Sequence, residues 1–145
     1  MSVAKFLNEE EEQKVLNAIK IAETNTSGEI RVHLESSCKG DVMERAKKVF
    51  GSLKMHKTKL RNGVLFYIAA DSHHFAILGD KGINDKVPAE FWDETKELVI
   101  DFLKNNQKAE GLEIGILKAG EQLKSFFPYQ SDDKNELSDE ISVGN

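Results

Sequence analysis

The sequence predicts a single α/β domain in which a small mixed β-sheet is sandwiched between helices. Three observations lead to this prediction: a length of 145 residues, which fits one domain; an apolar content of 39%, enough to form a core; and helical and strand patterns that follow in the order α-β-α-β-β-α-α. A strand–helix–strand unit joins parallel strands through a right-handed crossover. The first two strands should therefore run parallel, and the third should reverse.

The first half of the chain contains a helix, a strand and a second helix. Asn8 precedes a run of glutamates, as a helix N-cap does, and apolar residues at helical spacing continue this helix to about Thr24. Alternating polar and apolar residues over 29–34 predict the first strand. Asp41, with a glutamate three residues later, begins the second helix, which ends near Lys54.

The second half supplies two more strands and two more helices. The continuous apolar run over 63–70 is typical of a strand that is covered on both faces, and 75–78 returns as the third strand. After a glycine-containing loop, Pro88 begins the third helix, which stops at Asn105. A fourth helical pattern follows, and Pro128 ends it.

Charge divides the chain into a body and a tail. The net charge is −5, which disfavours binding to nucleic acid. Residues 129–145 carry five acidic residues and one lysine, a net charge of −4, so the body over 1–128 is almost neutral. We predict a flexible acidic tail over 129–145. The alternative is a specific docking segment, because the tail also contains Leu137, Ile141 and Val143.

Several functional classes are excluded by what the sequence lacks. No apolar stretch is long enough to span a membrane, and no signal peptide is visible, so we expect a cytoplasmic protein. The single Cys38 excludes an internal disulfide and a cysteine-based zinc site. Six residues separate Cys38 from Arg45, whereas the thiol phosphatase loop requires five. The chain also contains no glycine-rich phosphate loop and no nucleophile-elbow motif.

Acidic residues are predicted to converge at one end of the sheet, where the first two strands begin and the third ends. Carboxylates brought together repel one another unless a cation lies among them, and oxygen ligands suit Ca²⁺ or Mg²⁺. We therefore predict a divalent-metal site with Glu29, Asp80 and Asp93 as ligands. Whether further acids contribute is left open; these are Asp71, Asp85, Glu90 and Glu110. The opposite end of the sheet, with Ser36, Ser37, Cys38, Asp41 and Asp71, is the second choice.

Four short segments carry a family pattern: Ser27-Gly28-Glu29-Ile30-Arg31-Val32, Arg61-Asn62-Gly63-Val64-Leu65, Gly79 to Gly82, and Glu110-Gly111-Leu112. Together they resemble the TPM domain family, in its short stand-alone bacterial form. The resemblance extends over about residues 8–128. It implies a central sheet between helices, and its members are implicated in divalent-cation binding, weak acid phosphatase activity, photosystem II repair and receptor modulation.

The resemblance also bears on the site residues. Glu29 and Asp93 match acidic positions of the family, while Asp80 joins them through the predicted topology alone. The loop Gly79-Asp80-Lys81-Gly82-Ile83-Asn84 is one residue longer than the family's usual loop and has Asn84 where glutamate is common. Asn106-Gln107 replaces a Gly-Asp pair before the last helix. Many relatives have a signal peptide or membrane anchor that this sequence does not show.

Three functions remain as hypotheses. The first is a divalent-cation-binding domain, Ca²⁺ or Mg²⁺, that is non-catalytic or regulatory. The second is a weak metal-dependent acid phosphatase, in which the ion activates water. The third is a protein–protein interaction module that uses the basic loop from Lys54 to Arg61 or the acidic tail to bind a protein partner.

Overall fold

The sheet has four strands in the spatial order β3-β2-β1-β4. The computed structural model describes residues 6–72, 74–129 and 140–144. Along the chain, its elements are α1 (Glu9–Asn25), β1 (Glu29–Glu35), α2 (Val42–Ser52), β2 (Gly63–Ala69), β3 (His74–Gly79), α3 (Lys81–Asn84), α4 (Asp93–Lys104), α5 (Lys108–Lys124) and β4 (Ser142–Val143). The predicted α/β sandwich and its order of seven main elements are confirmed.

Strand pairing follows the predicted topology. β1 and β2 are parallel, with Glu29 opposite Gly63, and β3 returns antiparallel to β2, with Val64 opposite Gly79. The start of β1, the start of β2 and the end of β3 therefore lie at one edge of the sheet. β4 adds a short parallel pair to β1 on the other side, with His33 opposite Ser142.

The two predicted helix N-caps form. The Asn8 carboxamide oxygen accepts a hydrogen bond from the Glu11 amide at 2.8 Å, and the Asn8 amide donates to the Glu11 carboxylate at 2.9 Å. The Asp41 carboxylate accepts from the Glu44 amide at 2.9 Å. Each cap satisfies an amide that has no partner within the helix, so it fixes where α1 and α2 begin.

The core has two parts because every residue of β2 is buried. The larger part lies between the sheet and helices α1, α4 and α5, and it contains the even-numbered side chains of β1 and β2. The smaller part lies under α2 and contains Leu65 and Tyr67. Two glycines let helix α5 pack closely on its neighbours. A Cβ at Gly115 would lie 2.4 Å from Val99, and one at Gly120 would lie 2.8 Å from Ala22.

Three local features differ from the sequence-based expectation. The short helix α3 interrupts the predicted loop after β3, because Asp80 caps it. Helix α4 begins at Asp93 and not at Pro88, since the intervening residues form turns in which the Phe91 amide donates to the Pro88 carbonyl at 3.1 Å. Strand β4 lies in the predicted tail, of which residues 130–139 and 145 are outside the described residues. The flexibility of the tail stays a prediction.

Candidate functional site

Glu29 and Asp80 lie at the same edge of the sheet, on either side of Gly63. Glu29 is opposite Gly63 in the β1–β2 ladder, and the Asp80 amide donates to the Gly63 carbonyl at 2.9 Å. Residues that are separated by one intervening strand have Cα atoms about 10 Å apart. Since Gly63 has no side chain, only its backbone separates the two acidic residues within the sheet.

The two carboxylates also share a face. Side chains alternate along a strand, and Ile30 belongs to the core on the α1, α4 and α5 side, so Glu29 points to the α2 side. Asp80 lines a groove together with Lys47 and Phe50 of α2, which places it on that side as well. Both acids are nearly excluded from solvent, with 4% of Glu29 and 6% of Asp80 exposed.

Asp80 is held by three contacts. Its carboxylate accepts from the Arg61 guanidinium through Nε at 2.8 Å and Nη2 at 2.9 Å, and it accepts from the Lys81 amide at 2.7 Å. The hydrogen bond to Asp80 raises the pKa of Arg61 further. An acid that is desolvated to this degree requires a positive partner, and Arg61 provides it.

The loop before β2 positions Arg61. Its backbone is left-handed, with φ of 51°, and its carbonyl accepts from the Gly82 amide at 2.9 Å. A Cβ at Gly82 would lie 2.2 Å from the Leu60 carbonyl oxygen and 2.6 Å from that of Arg61. Glycine is therefore required at 82, because only its small size lets α3 lie against the loop that carries Arg61.

The turn before β1 positions Glu29. The Gly28 amide donates to the Thr26 hydroxyl at 3.1 Å, and the Glu29 amide donates to the Asn62 carbonyl at 3.2 Å. Asn62 is a buried residue, with 2% of its surface exposed, and its side-chain amide donates to the Ser27 hydroxyl at 3.4 Å. These bonds tie the start of β1 to the start of β2, so the Glu29 backbone is fixed relative to Gly63.

Asp93, the third predicted ligand, is placed differently. It is exposed at the start of α4, next to Trp92, whose indole nitrogen lies 3.5 Å from the Cβ position at Gly79. Helix α4 thus begins near the same edge, as predicted, but it packs on the other face of the sheet from Asp80. The structure brings Glu29 and Asp80 to one face and leaves Asp93 on the solvent side of α4.

The other acids that were left open are also spread out. Asp85 is exposed and pairs with Lys81 at 2.7 Å, and Glu90 is exposed. Asp71 lies at the opposite end of the sheet, where its amide donates to the Ser36 carbonyl, and Glu110 is half-buried in α5. Within residues 6–72, 74–129 and 140–144, no three His, Cys, Asp or Glu side chains form a ready metal-binding group.

An open groove of about 500 Å³ adjoins Asp80. Four basic side chains line it: Lys47, His56, Arg61 and Lys81. Two of them, His56 and Arg61, belong to the predicted basic loop. Asp80 and Asp85 line the same groove and pair with Arg61 and Lys81. The groove is therefore polar and of mixed charge.

A second polar cluster lies at the other end of β1, and the sequence did not predict it. The Glu35 carboxylate is 1% exposed and accepts from Arg45 through Nε and Nη2, both at 2.8 Å. The Tyr67 hydroxyl donates to the same carboxylate, and His33 Nε2 lies 3.1 Å from it. We call these four residues the Glu35 cluster.

The contacts in this cluster set the ionisation of its members. Burial alone would raise the pKa of Glu35, but the hydrogen bonds from Arg45, Tyr67 and His33 outweigh it and lower the pKa to about 2. Burial, followed by the contact with Glu35, raises the pKa of Tyr67. Burial also lowers the pKa of His33. At neutral pH the cluster therefore contains one carboxylate, one guanidinium and two uncharged rings.

The C-terminal residues cover the Glu35 cluster. His33 Nδ1 lies 2.9 Å from the Ser142 hydroxyl, and the Gly144 amide donates to the Leu34 carbonyl at 2.7 Å. A Cβ at Gly144 would lie 2.8 Å from the Glu35 carboxylate and 2.9 Å from His33 Nε2. The one available signal in the sequence was the polar series on alternate residues of β1, which continues through Glu35.

These features define a small α/β domain with a mixed sheet, a pair of desolvated acids at one edge and a buried ionic cluster at the other end. The sequence profile of the TPM domain matches residues 1–122, so the chain belongs to the TPM domain family. The family predicted from the four short segments is confirmed. No curated protein matches the chain.

Solved structures agree with this assignment. The chain is similar to the BA42 protein of the psychrophilic bacterium Bizionia argentinensis, an NMR structure with 49% identity, a TM-score of 0.92 and 98% of both chains covered. It is also similar to the N-terminal domain of a P. gingivalis protein, with 18% identity and a TM-score of 0.70 over 86% of this chain and 80% of that one. The N-terminal domain of the cg2496 protein of Corynebacterium glutamicum has 13% identity and a TM-score of 0.63 over 96% and 80%. The last two likenesses show the fold alone.

The part of the chain that the structure describes contains no helix that is both long and apolar enough to cross a bilayer. The cytoplasmic location stays a prediction.

Proposed function

We propose that this TPM domain binds a divalent cation, Ca²⁺ or Mg²⁺, at the edge of the sheet that carries Glu29 and Asp80. One observation carries the proposal: the two acids lie on the same face, on either side of a glycine, and both are almost fully desolvated. Carboxylate oxygens are the ligands that these ions prefer, and backbone carbonyls and water complete their coordination. The resemblance to the family implies the same property.

Arg61 is the resident cation of this site. Its guanidinium makes two contacts with Asp80, so the position that a metal ion would take on that carboxylate already holds a positive group. Asp80 thus already has a positive partner, and a metal ion must displace Arg61 to bind this carboxylate. The Arg61 side chain is 45% exposed, so its guanidinium can leave Asp80 and become hydrated.

This competition suggests a regulatory role for the cation. Binding would exchange the Arg61–Asp80 pair for a metal–carboxylate contact and would release Arg61 into the groove beside α2. A change in concentration of the ion would then change which charged groups the groove presents. Asp93 is exposed at the start of α4, which packs on the other face of the sheet, so we base the proposal on Glu29 and Asp80.

Calorimetric titration with CaCl₂ and MgCl₂ tests this proposal. We expect Asp80→Asn and Glu29→Gln to weaken binding by about tenfold or more, because each removes a charge-assisted contact. Arg61→Gln should strengthen binding, because it removes the competing cation. Asp101→Asn, at an exposed position of α4, is the matched control and should leave the affinity unchanged.

The Arg61 variant decides between a site and an adventitious charge effect. If the ion is attracted only by net charge, Arg61→Gln and a lysine variant at an exposed position, Lys20→Gln, would strengthen binding equally. If Arg61→Gln weakened binding or left it unchanged, Arg61 would not compete with the ion. Folding of each variant is checked from its amide NMR spectrum, so that a lost site is distinguished from a lost fold.

A second candidate is a weak metal-dependent phosphatase, which the basic residues of the mixed-charge groove favour. Lys47, His56, Arg61 and Lys81 line a groove next to Asp80, and such residues bind phosphate oxygens. A bound ion would supply Lewis-acid chemistry at its rim. We expect hydrolysis of p-nitrophenyl phosphate to require added Mg²⁺ or Ca²⁺ and to disappear in Asp80→Asn. Turnover that survives in this variant would indicate a contaminating enzyme and contradict the candidate.

A further inference from the structure

A cavity of about 570 Å³ lies at the opposite end of the sheet from Glu29 and Asp80. It is bordered by the end of β2, the start of β3, the turn between α4 and α5, and Phe6 before α1, and it opens to solvent. Its volume falls within the range of small-molecule pockets, which bury most of the surface of their ligand. No step of the proposed cation site uses it.

The interior of this cavity is apolar. Its walls include Phe6, Ile68, Phe75, Ile100 and Leu103. Ala70, directly after β2, adds only a methyl group to the wall, which leaves room between the sheet and helix α4. An apolar cavity of this kind takes a hydrocarbon group.

The charged residues that line the cavity are two lysines, Lys104 and Lys108, and its other polar lining residues are His74 and Asn106. No acidic residue is among the described residues that line it. Among the described residues, no carboxylate forms an ion pair with Lys104 or Lys108; the ammonium group of Lys108 lies 4.8 Å from the centre of the Phe6 ring. Along the described part of the chain, the cavity therefore combines an apolar interior with two lysines, exposed Lys104 and half-buried Lys108, that form no ion pair with a carboxylate.

The position of Lys108 is not explained by the stability of its helix. Lys108 is the first residue of α5, and a cation at a helix N-terminus is unfavourable because the backbone dipole is positive there. Gln107, the N-cap, makes no side-chain hydrogen bond to the first turn. Glu110 supplies the acidic group that suits the first turn of α5, so Lys108 is the residue there whose charge opposes the dipole.

We propose that this cavity binds a medium-chain fatty carboxylate, with its hydrocarbon chain against Phe75, Ile100 and Leu103 and its carboxylate beside Lys104 and Lys108. The apolar interior accounts for the chain, and the unpaired ammonium groups account for the anionic end. A peptide is a poorer fit, because apolar walls offer few partners for peptide amides.

The probes are octanoate, decanoate and dodecanoate, each titrated below its critical micelle concentration and followed by calorimetry and by the methyl NMR signals of Ile68, Ile100 and Leu103. We expect affinity to rise by about fourfold for each added methylene group. Decanol, which has the same chain and no charge, should bind about tenfold or more weakly than decanoate, because it lacks the charge-assisted contacts.

Two variants locate the two ends of the ligand. The double variant Lys104→Gln/Lys108→Gln should weaken decanoate about tenfold and leave decanol unchanged, whereas Lys14→Gln/Lys20→Gln, which changes the same net charge at exposed positions of α1, should leave both unchanged. Leu103→Trp, at a half-buried position, should fill the cavity and abolish binding of both.

Several results would overturn the proposal. It is wrong if no probe binds, if decanol binds as tightly as decanoate, or if both lysine double variants weaken decanoate equally. Concentration-dependent dimerisation that Leu103→Trp abolishes, with no response to any fatty acid, would assign the cavity to a second copy of the chain. The cation titrations are independent of these measurements, so either proposal can fail alone.

Discussion

Arg61 and Asp80 form a two-point ion pair, with Nε–Oδ2 at 2.8 Å and Nη2–Oδ1 at 2.9 Å, at the edge where the sheet also carries Glu29. Asp80 is buried, and Arg61 is on the solvent side. The pair thus closes the carboxylate to solvent. The proposed site differs from a preformed metal cage, because a cation of the chain itself must leave before the ion can bind.

The Arg61–Asp80 pair should contribute to the stability of the metal-free protein. Arg61→Gln leaves the buried carboxylate of Asp80 without its cation, so the free energy of unfolding should fall by clearly more than in Lys81→Gln. Urea denaturation measures this loss, and millimolar Ca²⁺ should recover part of it in the variant. Lys81→Gln breaks only the exposed pair with Asp85 and should cost less than about 0.5 kcal/mol. Equal losses in the two variants would contradict this account.

The Arg45–Glu35 pair should be the more costly one to break. Arg45→Met leaves a carboxylate that is 1% exposed with only uncharged partners, so we expect a loss of about 3 kcal/mol in the free energy of unfolding. The control is Lys47→Met on the same helix, since Lys47 forms an exposed pair with Glu44 at 3.6 Å. A loss below about 1 kcal/mol for Arg45→Met, measured by urea denaturation, would show that Tyr67 and His33 suffice to hold Glu35.

Stability should fall in acid, with a window set by Glu35. Its pKa is about 2 in the folded protein and 4.5 when unperturbed, so the unfolded state binds a proton first as the pH falls. The contribution of Glu35 is complete above pH 4.5 and is lost as the pH falls to about 2; it amounts to about 3 kcal/mol. Urea denaturation measures the free energy of unfolding of the wild type and of Glu35→Gln. The difference between the two should be constant above about pH 5 and should vanish toward pH 2.

His33 should add a separate, earlier loss. Burial lowers its pKa below 6.5, so protonation also favours the unfolded state as the pH falls through 6.5. His33→Gln should remove this part and leave the Glu35 window in place. A stability curve of the wild type that is flat or rises as the pH falls from 6.5 to 4.5 would contradict the assignment of His33, whereas the Glu35 assignment is tested below pH 4.5.

Strand β4 should detach when Gly144 gains a side chain. A methyl group there would lie 2.8 Å from the Glu35 carboxylate, so Gly144→Ala should break the bond from the 144 amide to the Leu34 carbonyl. Hydrogen exchange should then speed up at residue 144 by about tenfold or more, while the amides of β2 stay protected. Gly51→Ala, whose Cβ would meet nothing within 4 Å, is the control. Unchanged exchange at 144 would show that β4 tolerates the methyl group.

The order of elements and the meeting of Glu29 with Asp80 at one edge could be predicted, because both follow from local patterns and one crossover rule. Asn8 and Asp41 mark helix starts through contacts within three residues. The burial of 63–69 follows from an unbroken apolar run. The parallel pairing then fixes which strand ends meet.

The charged contacts of the two sites could not be predicted, because they join residues that are far apart in the sequence. Arg61 contacts Asp80 because its backbone is left-handed, and the sequence does not predict this conformation at an arginine. The polar face of β1 has the pattern of a solvated face, yet His33 and Glu35 are buried there. Their burial depends on Arg45 and on Ser142, which is 109 residues from His33.

The most direct test of the cation site is an NMR titration of labelled protein with Ca²⁺ and Mg²⁺. It follows the carboxyl carbons of Glu29 and Asp80 and the Nε–H group of Arg61. We predict that all three signals shift along one saturating curve, while the carboxyl carbon of Asp101 stays in place. If Glu29 and Asp80 did not shift at saturating ion, or if the Arg61 signal kept its ion-paired position while they did, the proposed exchange of Arg61 for a metal ion would be wrong.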